Sequence, residues 1–169
     1  MKKLLAIMLA AMMIFALTGC GGSSYSIKDA TKDEVAQEIK ASDYKKDFDG
    51  LQQYLLDKGY IFGKLYSNDG KDSISLKSKV YYDIVGANNG IRYYFANQNT
   101  FIEIYDFSGE QNDTAKKILA DIKDDGKFRA VDGLDELNAV ISKSGKYVIV
   151  YDPALSYDYA KITDELENW

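Results

Sequence analysis

The stretch that decides the fold is residues 80–105, VYYDIVGANNGIRYYFANQNTFIEIY, in which three runs of β-branched and aromatic residues are separated by two turn signals. Such runs favour β-strands because these side chains fit a pleated, half-buried surface. The Asn89-Gly90 dipeptide is typical of a tight hairpin turn, since both residue types adopt positive φ readily. A hairpin with this turn pairs Ile84 with Phe95 and Val85 with Tyr94.

A second hairpin is predicted around Asn97-Gln98. It places Arg92 opposite Glu103 and Tyr93 opposite Ile102. The Arg92–Glu103 pair supports this register, because opposite charges that face each other across two strands stabilise a sheet by about 0.2–1 kcal/mol. The stretch therefore predicts three antiparallel strands that follow one another in the chain.

The predicted register also assigns each side chain to one face of the sheet, because side chains alternate along a strand. The first face is apolar and consists of Val80, Tyr82, Ile84, Ile91, Tyr93, Phe95, Ile102 and Ile104. The second face is more polar and consists of Tyr81, Asp83, Val85, Arg92, Tyr94, Phe101, Glu103 and Tyr105. Aromatic rings beside charged groups stack on sugars or grip peptides. We therefore expect a candidate binding face at Tyr81, Tyr94, Phe101 and Tyr105; the alternative is that a helix covers these rings and makes them a second core.

The rest of the chain predicts helices and further strands that pack with these hairpins. The helix signals are a capping box at Thr31–Glu34, a stripe of Phe48, Leu51, Leu55 and Leu56 that ends at Gly59, a stripe over 113–125 between Asn112 and Gly126, and a stripe of Tyr159, Ile162, Leu166 and Trp169 after Pro153. Strands are predicted at 128–131, 139–143 and 146–151, the last two joined at Ser144-Gly145. The fold class is α+β: a mainly antiparallel sheet of about five to seven strands with helices packed on it, in a single domain over 29–169.

The N-terminal residues have the three regions of a secretory signal peptide. Lys2 and Lys3 precede the uncharged run 4–17, and small residues follow it. The segment Leu17-Thr18-Gly19-Cys20 resembles the lipobox of bacterial lipoproteins, which reads Leu, a small or polar residue, Gly or Ala, then Cys. The resemblance implies cleavage before Cys20 and a diacylglyceryl group on its sulfur.

The resemblance divides the chain into a signal peptide over 1–19, a lipidated tether over 20–28 and the domain over 29–169. The apolar run is shorter than the about 20 residues that a membrane-spanning helix needs, whereas two acyl chains hold a protein on a bilayer durably. We expect a domain anchored to the extracytoplasmic face of the cell membrane through Cys20. The composition, rich in Lys, Ile, Asn and Tyr, is typical of low-GC Gram-positive bacteria.

Charge excludes nucleic acid as a general partner. Removal of 1–19 takes away two lysines and leaves 19 basic and 26 acidic residues, a formal charge of −7. Nucleic acids demand a basic surface, which this composition does not favour.

The residue types present leave little room for catalysis. Histidine is absent and Cys20 is the only cysteine, which excludes Ser-His and Cys-His triads and histidine-containing zinc sites. No cofactor or metal site is predicted, because the aspartate-rich segments 47–50 and 68–72 lack the spacing of a calcium loop and are interpreted as surface turns. The remaining option is a carboxylate pair, Asp83 with Glu103, since glycosidases need two carboxyl groups about 5–9.5 Å apart.

Three functions follow from these patterns. The first is a non-enzymatic protein-binding or accessory module at the cell surface, which predicts an exposed aromatic patch. The second is a lipoprotein that binds a small ligand, a sugar or a peptide, which predicts a closed pocket with convergent polar groups. The third is a carboxylate-based hydrolase, which predicts a cleft with two close acids.

Overall fold

The strands between residues 77 and 151 form one antiparallel sheet of six strands in a computed structural model of the protein. The structure describes residues 25–26, 39–67, 71–95, 100–130, 136–155, 162–166 and 169. The strands are β4 (Lys77–Lys79), β5 (Asn89–Tyr94), β6 (Phe101–Asp106), β7 (Lys127–Phe128), β8 (Leu137–Ile141) and β9 (Tyr147–Tyr151). Their order across the sheet is β4-β5-β6-β9-β8-β7. Long apolar strands therefore occupy the centre, and the short strands β4 and β7 form the edges.

A second, smaller sheet precedes the large one in the chain. Its strands are β1 (Tyr25–Ser26), β2 (Lys64–Ser67) and β3 (Ser73–Ser75), in that order and all antiparallel. The two sheets meet at the buried Leu76, whose amide donates to the carbonyl of Gly63 and whose carbonyl accepts from the amide of Tyr94. One bend in the chain thus carries β3 into β4. No strand was predicted before Val80, because these short strands are rich in serine and lysine.

In the described part of the chain, three α-helices pack on the large sheet: α1 (Phe48–Asp57), α2 (Asp113–Asp125) and α3 (Ile162–Leu166), with short 3₁₀ helices at Ala41–Asp43 and Pro153–Leu155. Helix α2 is capped as predicted, since the side chain of Asn112 accepts from the amide of Ala115 and Gly126 ends the helix with φ of 71°. Segment 47–50, interpreted as a surface turn, is instead the start of α1. Asp47 is its N-cap, because its carboxylate accepts from the amide of Gly50.

The helices bury both faces of the sheet and create two cores. On the first face, α1 and the C-terminal residues cover the sheet, with the core residues Phe48, Leu51, Tyr54, Leu55, Tyr93, Ile102, Ile104, Ile149, Ile162, Leu166 and Trp169. On the second face, α2 covers the sheet, with the core residues Val85, Ala87, Tyr105, Phe107, Ala115, Ile118, Leu119, Ile122, Phe128, Ala139, Val148 and Val150. The predicted α+β fold with helices packed on an antiparallel sheet is confirmed.

The register of the second predicted hairpin is confirmed. Strand β5 pairs with β6 so that Arg92 faces Glu103 and Tyr93 faces Ile102. The hairpin of β8 and β9 also turns where expected, with Gly145 at φ of 71°. The predicted stripe at the C-terminus is confirmed at Ile162, Leu166 and Trp169, all buried.

The first predicted hairpin is wrong. Residues 82–86 form a turn, β5 begins at Asn89, and its partner is β4, with Lys79 opposite Ile91. Gly90 does not form the turn. Its missing side chain allows Val80 to pack closely against the backbone, because a Cβ at Gly90 would lie 2.6 Å from Cγ2 of Val80. The turn uses Gly86, whose φ is 70°.

The face assignments that depended on this hairpin change with it. Val80 packs against the second core and not the first. Tyr82 and Ile84, assigned to the first face, are exposed to solvent. The strand predicted at 128–131 is shorter, since β7 ends at Phe128.

Several predictions lie outside the described residues. These are the signal peptide and the lipidated Cys20, the helix signal at 31–34, residues 68–70 of the surface turn predicted at 68–72, the turn at Asn97-Gln98, and Tyr159. Within the described ranges, no helix has both the length and the apolar character needed to cross a membrane.

Candidate functional site

The large hydrophobic side chains that the described residues leave exposed come from one short stretch of chain. They are Ile74, Tyr81, Tyr82 and Ile84, and Tyr81 is the most exposed, at 82 %. The exposed lysines Lys77 and Lys79 lie in β4 between Ile74 and the tyrosines. We call these six residues the contact edge. Exposed apolar patches mark interaction sites, and the exposed hydrophobic residues at Tyr81, Tyr82 and Ile84 make loop 80–88 the candidate.

The loop that carries three of the six residues of the contact edge, residues 80–88, is held by backbone hydrogen bonds. The amide of Ala87 donates to the carbonyl of Tyr82, and the amide of Gly86 donates to the carbonyl of Asp83, both at 3.0 Å. The amide of Asn88 donates to the carbonyl of Asp106 at 2.7 Å, which ties the loop to β6. These bonds fix the direction in which the loop presents Tyr81.

Side-chain packing holds the same loop from below. Val85 and Ala87 are buried in the second core beneath α2. A Cβ at Gly86 would collide with the side-chain amide of Asn112, the N-cap of α2, so the loop lies directly against the start of that helix. A loop fixed in this way is preorganised, and binding costs it little conformational entropy.

A buried ion pair lies on the second face next to β5. Glu103 is 3 % exposed, and its Oε1 accepts from Nε of Arg92 at 2.7 Å. The other oxygen, Oε2, accepts from the hydroxyl of Tyr105 at 2.8 Å. The Arg92 guanidinium lies 4.1 Å above the ring centre of Phe101 and 5.7 Å from that of Tyr94. Both carboxylate oxygens are therefore satisfied, and the guanidinium is stacked on an aromatic ring.

The ion pair shifts the pKa values of its neighbours. Burial, then the Glu103 carboxylate, raises the pKa of Tyr105 far above its ordinary value. The hydrogen bond from Arg92 lowers the pKa of Tyr94. Burial lowers the pKa of Arg92, but its bond to Tyr94 and the charge of Glu103 outweigh this, so the net shift is upward. Arg92 and Glu103 thus form a structural pair, in which the charged form of the guanidinium is favoured.

The structure separates the four residues of the predicted binding face. Tyr105 is buried and stacks on Phe128 with ring centres 5.2 Å apart, as the alternative of a helix-covered second core expected. Tyr94 and Phe101 are half-buried beside Arg92. Tyr81 lies apart from them in loop 80–88 and is exposed. That these residues bind a ligand stays a prediction.

A separate open pocket lies where α1, α3 and the 3₁₀ helix at Ala41–Asp43 meet. Its volume is about 410 Å³, and its lining residues are Ile39, Lys40, Ala41, Ser42, Lys46, Tyr54, Lys58 and Glu165. Glu165 accepts hydrogen bonds from the hydroxyl of Tyr54 and, at 3.2 Å, from Nζ of Lys58. Burial, together with Glu165, raises the pKa of the nearby Tyr60 to about 12. These contacts attach α3 to α1.

One lysine of this pocket contacts the C-terminal tryptophan. Nζ of Lys46 donates to the carbonyl of Ala41 at 2.7 Å and lies 4.0 Å from the ring centre of Trp169. Burial lowers the pKa of Lys46. The polar groups Lys46, Lys58 and Glu165 of the pocket therefore contact other parts of the protein, which favours a structural role for the pocket.

The carboxylate pair considered for hydrolysis is not presented by facing strands. Asp83 lies in the turn of loop 80–88, and both oxygens of Glu103 are bound by Arg92 and Tyr105. A carboxylate engaged in this way is poorly placed to exchange a proton with a substrate. In the part of the chain that the structure describes, no group of three or more histidine, cysteine or acidic side chains is arranged to hold a metal ion.

Comparison of the chain with family models, with curated proteins and with solved structures gave no match. The contact edge therefore rests on the geometry of the described residues alone.

Sequence reasoning found Tyr81 as a binding candidate but missed Ile84 and Tyr82. Both were assigned to an apolar strand face, since their alternation is typical of a strand. The signal that could have found them is Gly86, which adopts positive φ more readily than other residues and is a turn candidate alongside Asn89-Gly90.

Proposed function

We propose that the protein is a membrane-anchored, extracytoplasmic lipoprotein whose domain acts without catalysis, as a protein-binding or accessory module at the cell surface. The lipobox at 17–20 supports the anchor. The observation that carries the binding role is the contact edge, in which exposed aromatic and aliphatic side chains stand on a preorganised loop.

The geometry of the contact edge suits surface recognition. Tyrosine combines a large apolar ring with a polar tip, and it is enriched at interfaces for that reason. The rigid frame beneath Tyr81 means that contact does not have to order the loop first. The two other functions have weaker support, since the polar groups of the open pocket are engaged within the protein and Glu103 is part of a buried ion pair.

The anchor is tested on protein purified from the membrane fraction. The N-terminal peptide should begin at Cys20 and carry the mass of a diacylglyceryl group, and Cys20→Ser should leave the protein unprocessed or released. A processed, detergent-requiring Cys20→Ser protein would contradict the anchor.

The binding role is tested by photo-crosslinking in intact cells. A photoreactive amino acid replaces Tyr81 in one variant and, as a matched control, the exposed Thr114 on α2 in another. Position 81 should give a discrete crosslinked product and position 114 should not. Equal, background-level crosslinking at both positions would refute the contact edge as a binding surface.

A further inference from the structure

A second loop lies beside loop 80–88 at the same end of the large sheet. Loop 107–112 connects β6 to α2, and most of its residues are exposed. A Cβ at Gly109 would collide with the side-chain amide of Asn88, so the two loops are in contact. Loop 107–112 therefore extends the surface that loop 80–88 presents.

The second loop is also held in place by the protein. Phe107 is buried in the second core. The amide of Ser108 donates to the carboxylate of Asp106 at 2.8 Å, and Nε2 of Gln111 donates to the carbonyl of Phe107 at 3.3 Å. Both loops are thus preorganised, and a partner can contact them without ordering either one first.

The charged residues of the two loops are all acidic. Asp83 in the first loop and Glu110 in the second are exposed, and neither loop contains a lysine or an arginine. Asp113, the first residue of α2, adds a third exposed carboxylate. Its ion pair with Lys116, at 3.7 Å, joins two exposed side chains and is therefore weak.

The lysines of the contact edge lie on the other face of the sheet. Lys77 and Lys79 pair with residues of β5 whose side chains pack in the first core. Residues directly opposite each other on paired strands share a face. Loop 80–88 instead packs on the second face, where Val85 is buried. The surface that the two loops form is therefore negative, and its charge comes from the three carboxylates.

We propose that the protein partner of the contact edge is basic, with lysine or arginine side chains that face Asp83, Glu110 and Asp113. An apolar part of the same partner covers Tyr81 and Ile84. This inference rests on the proposed function and names its partner by chemistry. Complementary charges around an apolar contact speed association and repel partners of like charge, while the rings supply the contact area.

The test measures the yield of the photo-crosslinked product at position 81 in intact cells. Asp83→Asn/Glu110→Gln removes one carboxylate from each loop and should reduce this yield about fivefold, on the scale of two exposed charge pairs. The matched control is Asp121→Asn/Asp124→Asn, which changes the net charge equally. These residues lie more than about 10 Å along α2 from Asp113, beyond the screening length at physiological ionic strength, so the yield should stay unchanged.

The crosslinked product itself gives a second measurement. Mass spectrometry identifies the partner segment that is joined to position 81, and this segment with its flanking residues should carry a net positive charge. Added salt should lower the yield of the parent protein, because it screens the exposed carboxylates. Both charge variants should melt at the temperature of the parent protein, since exposed substitutions of this kind change stability little.

The outcomes separate this inference from the proposed function. A neutral or acidic partner segment would overturn the inference and leave the binding role standing. An equal yield in the loop variant and the parent protein, or an equal loss in the loop variant and its control, would do the same. Absence of a discrete product at position 81 in the parent protein, or a lipid as the crosslinked species, would refute the protein-binding role and the inference with it.

Discussion

Replacement of the C-terminal residue should destabilise the whole domain. Trp169 is 5 % exposed and packs in the first core, with ring centres 5.9 Å from Tyr54 and 6.4 Å from Tyr147. Nζ of Lys46 lies 4.0 Å from its ring centre. With these contacts, Trp169 is part of the first core.

The expected magnitude follows from two opposing contributions. Truncation of a buried tryptophan to alanine costs about 3–5 kcal/mol. The indole Nε1 of Trp169, however, is buried and has no hydrogen-bond partner among the residues that the structure describes. An unsatisfied buried donor is itself unfavourable by about 1–3 kcal/mol, so its removal offsets part of the loss. We therefore expect Trp169→Ala to lower the free energy of unfolding by about 2 kcal/mol, the difference between the midpoints of these two ranges.

Trp169→Phe is the informative companion variant. It keeps a ring against Tyr54 and Tyr147 and removes the unpaired Nε1. We expect its stability to stay within about 1 kcal/mol of the parent protein, since the lost volume and the removed donor act in opposite directions. Tyr81→Ala is the control, because this exposed residue should change stability by at most about 0.5 kcal/mol.

The assay is urea unfolding of the purified full-length protein in detergent, followed by circular dichroism. Trp169 is the only tryptophan, so the emission maximum of the parent protein reports its environment directly. A blue-shifted maximum that moves to the value of hydrated indole on unfolding is expected. A hydrated maximum in the folded state, together with an unchanged midpoint for Trp169→Ala, would refute the assignment of the C-terminus to the core.

Three further predictions concern the sheet. Glu103→Gln should lower the free energy of unfolding in urea by about 3 kcal/mol, because it leaves Arg92 partly buried without a counter-charge. Replacement of both Arg92 and Glu103 by methionine should restore most of this stability, and an equal loss in the single and double variants would contradict the buried pair. Gly90→Ala should cost about 1–3 kcal/mol because its Cβ would lie 2.6 Å from a neighbouring side chain, while Gly63→Ala, with no heavy atom within 4 Å, should be neutral. Burial raises the pKa of Tyr93 from 10.0 to about 12, so the unfolded state loses the hydroxyl proton at a lower pH than the folded state does. The free energy of unfolding should therefore fall as the pH rises from 10 to 12, by up to about 1.4 kcal/mol per pH unit. Tyr93→Phe should reduce this slope.

The elements that sequence reasoning located correctly are those whose signals are local. Helix α2 is an example, since its N-cap Asn112 and C-cap Gly126 act on backbone groups within one helical turn. The Arg92–Glu103 pair also succeeded, because a charge complementarity between neighbouring strands selects one register over its one-residue alternatives. The candidate site was found only at Tyr81.

The prediction of the first hairpin was wrong because a glycine can indicate either a tight turn or a place where another side chain packs against the backbone. Asn89-Gly90 has the composition of a tight turn, but the absent side chain at Gly90 makes room for Val80 and Tyr105. Val80 follows β4 and Tyr105 lies in β6, so nothing next to Gly90 in the sequence distinguishes the two uses. The exposure of Ile84 follows from that choice and could not be predicted before it.

The sequence by itself determined the α+β class, the main hairpin register and the apolar stripe that ends at Trp169, because each depends on neighbouring residues or on a fixed period. The tertiary structure decided which rings are buried and which are exposed. Tyr105 and Tyr81 have the same chemistry, yet α2 and Phe128 cover the first while the second stands on a loop that no described helix covers. Burial is a property of what packs against a residue, and those partners come from distant parts of the chain.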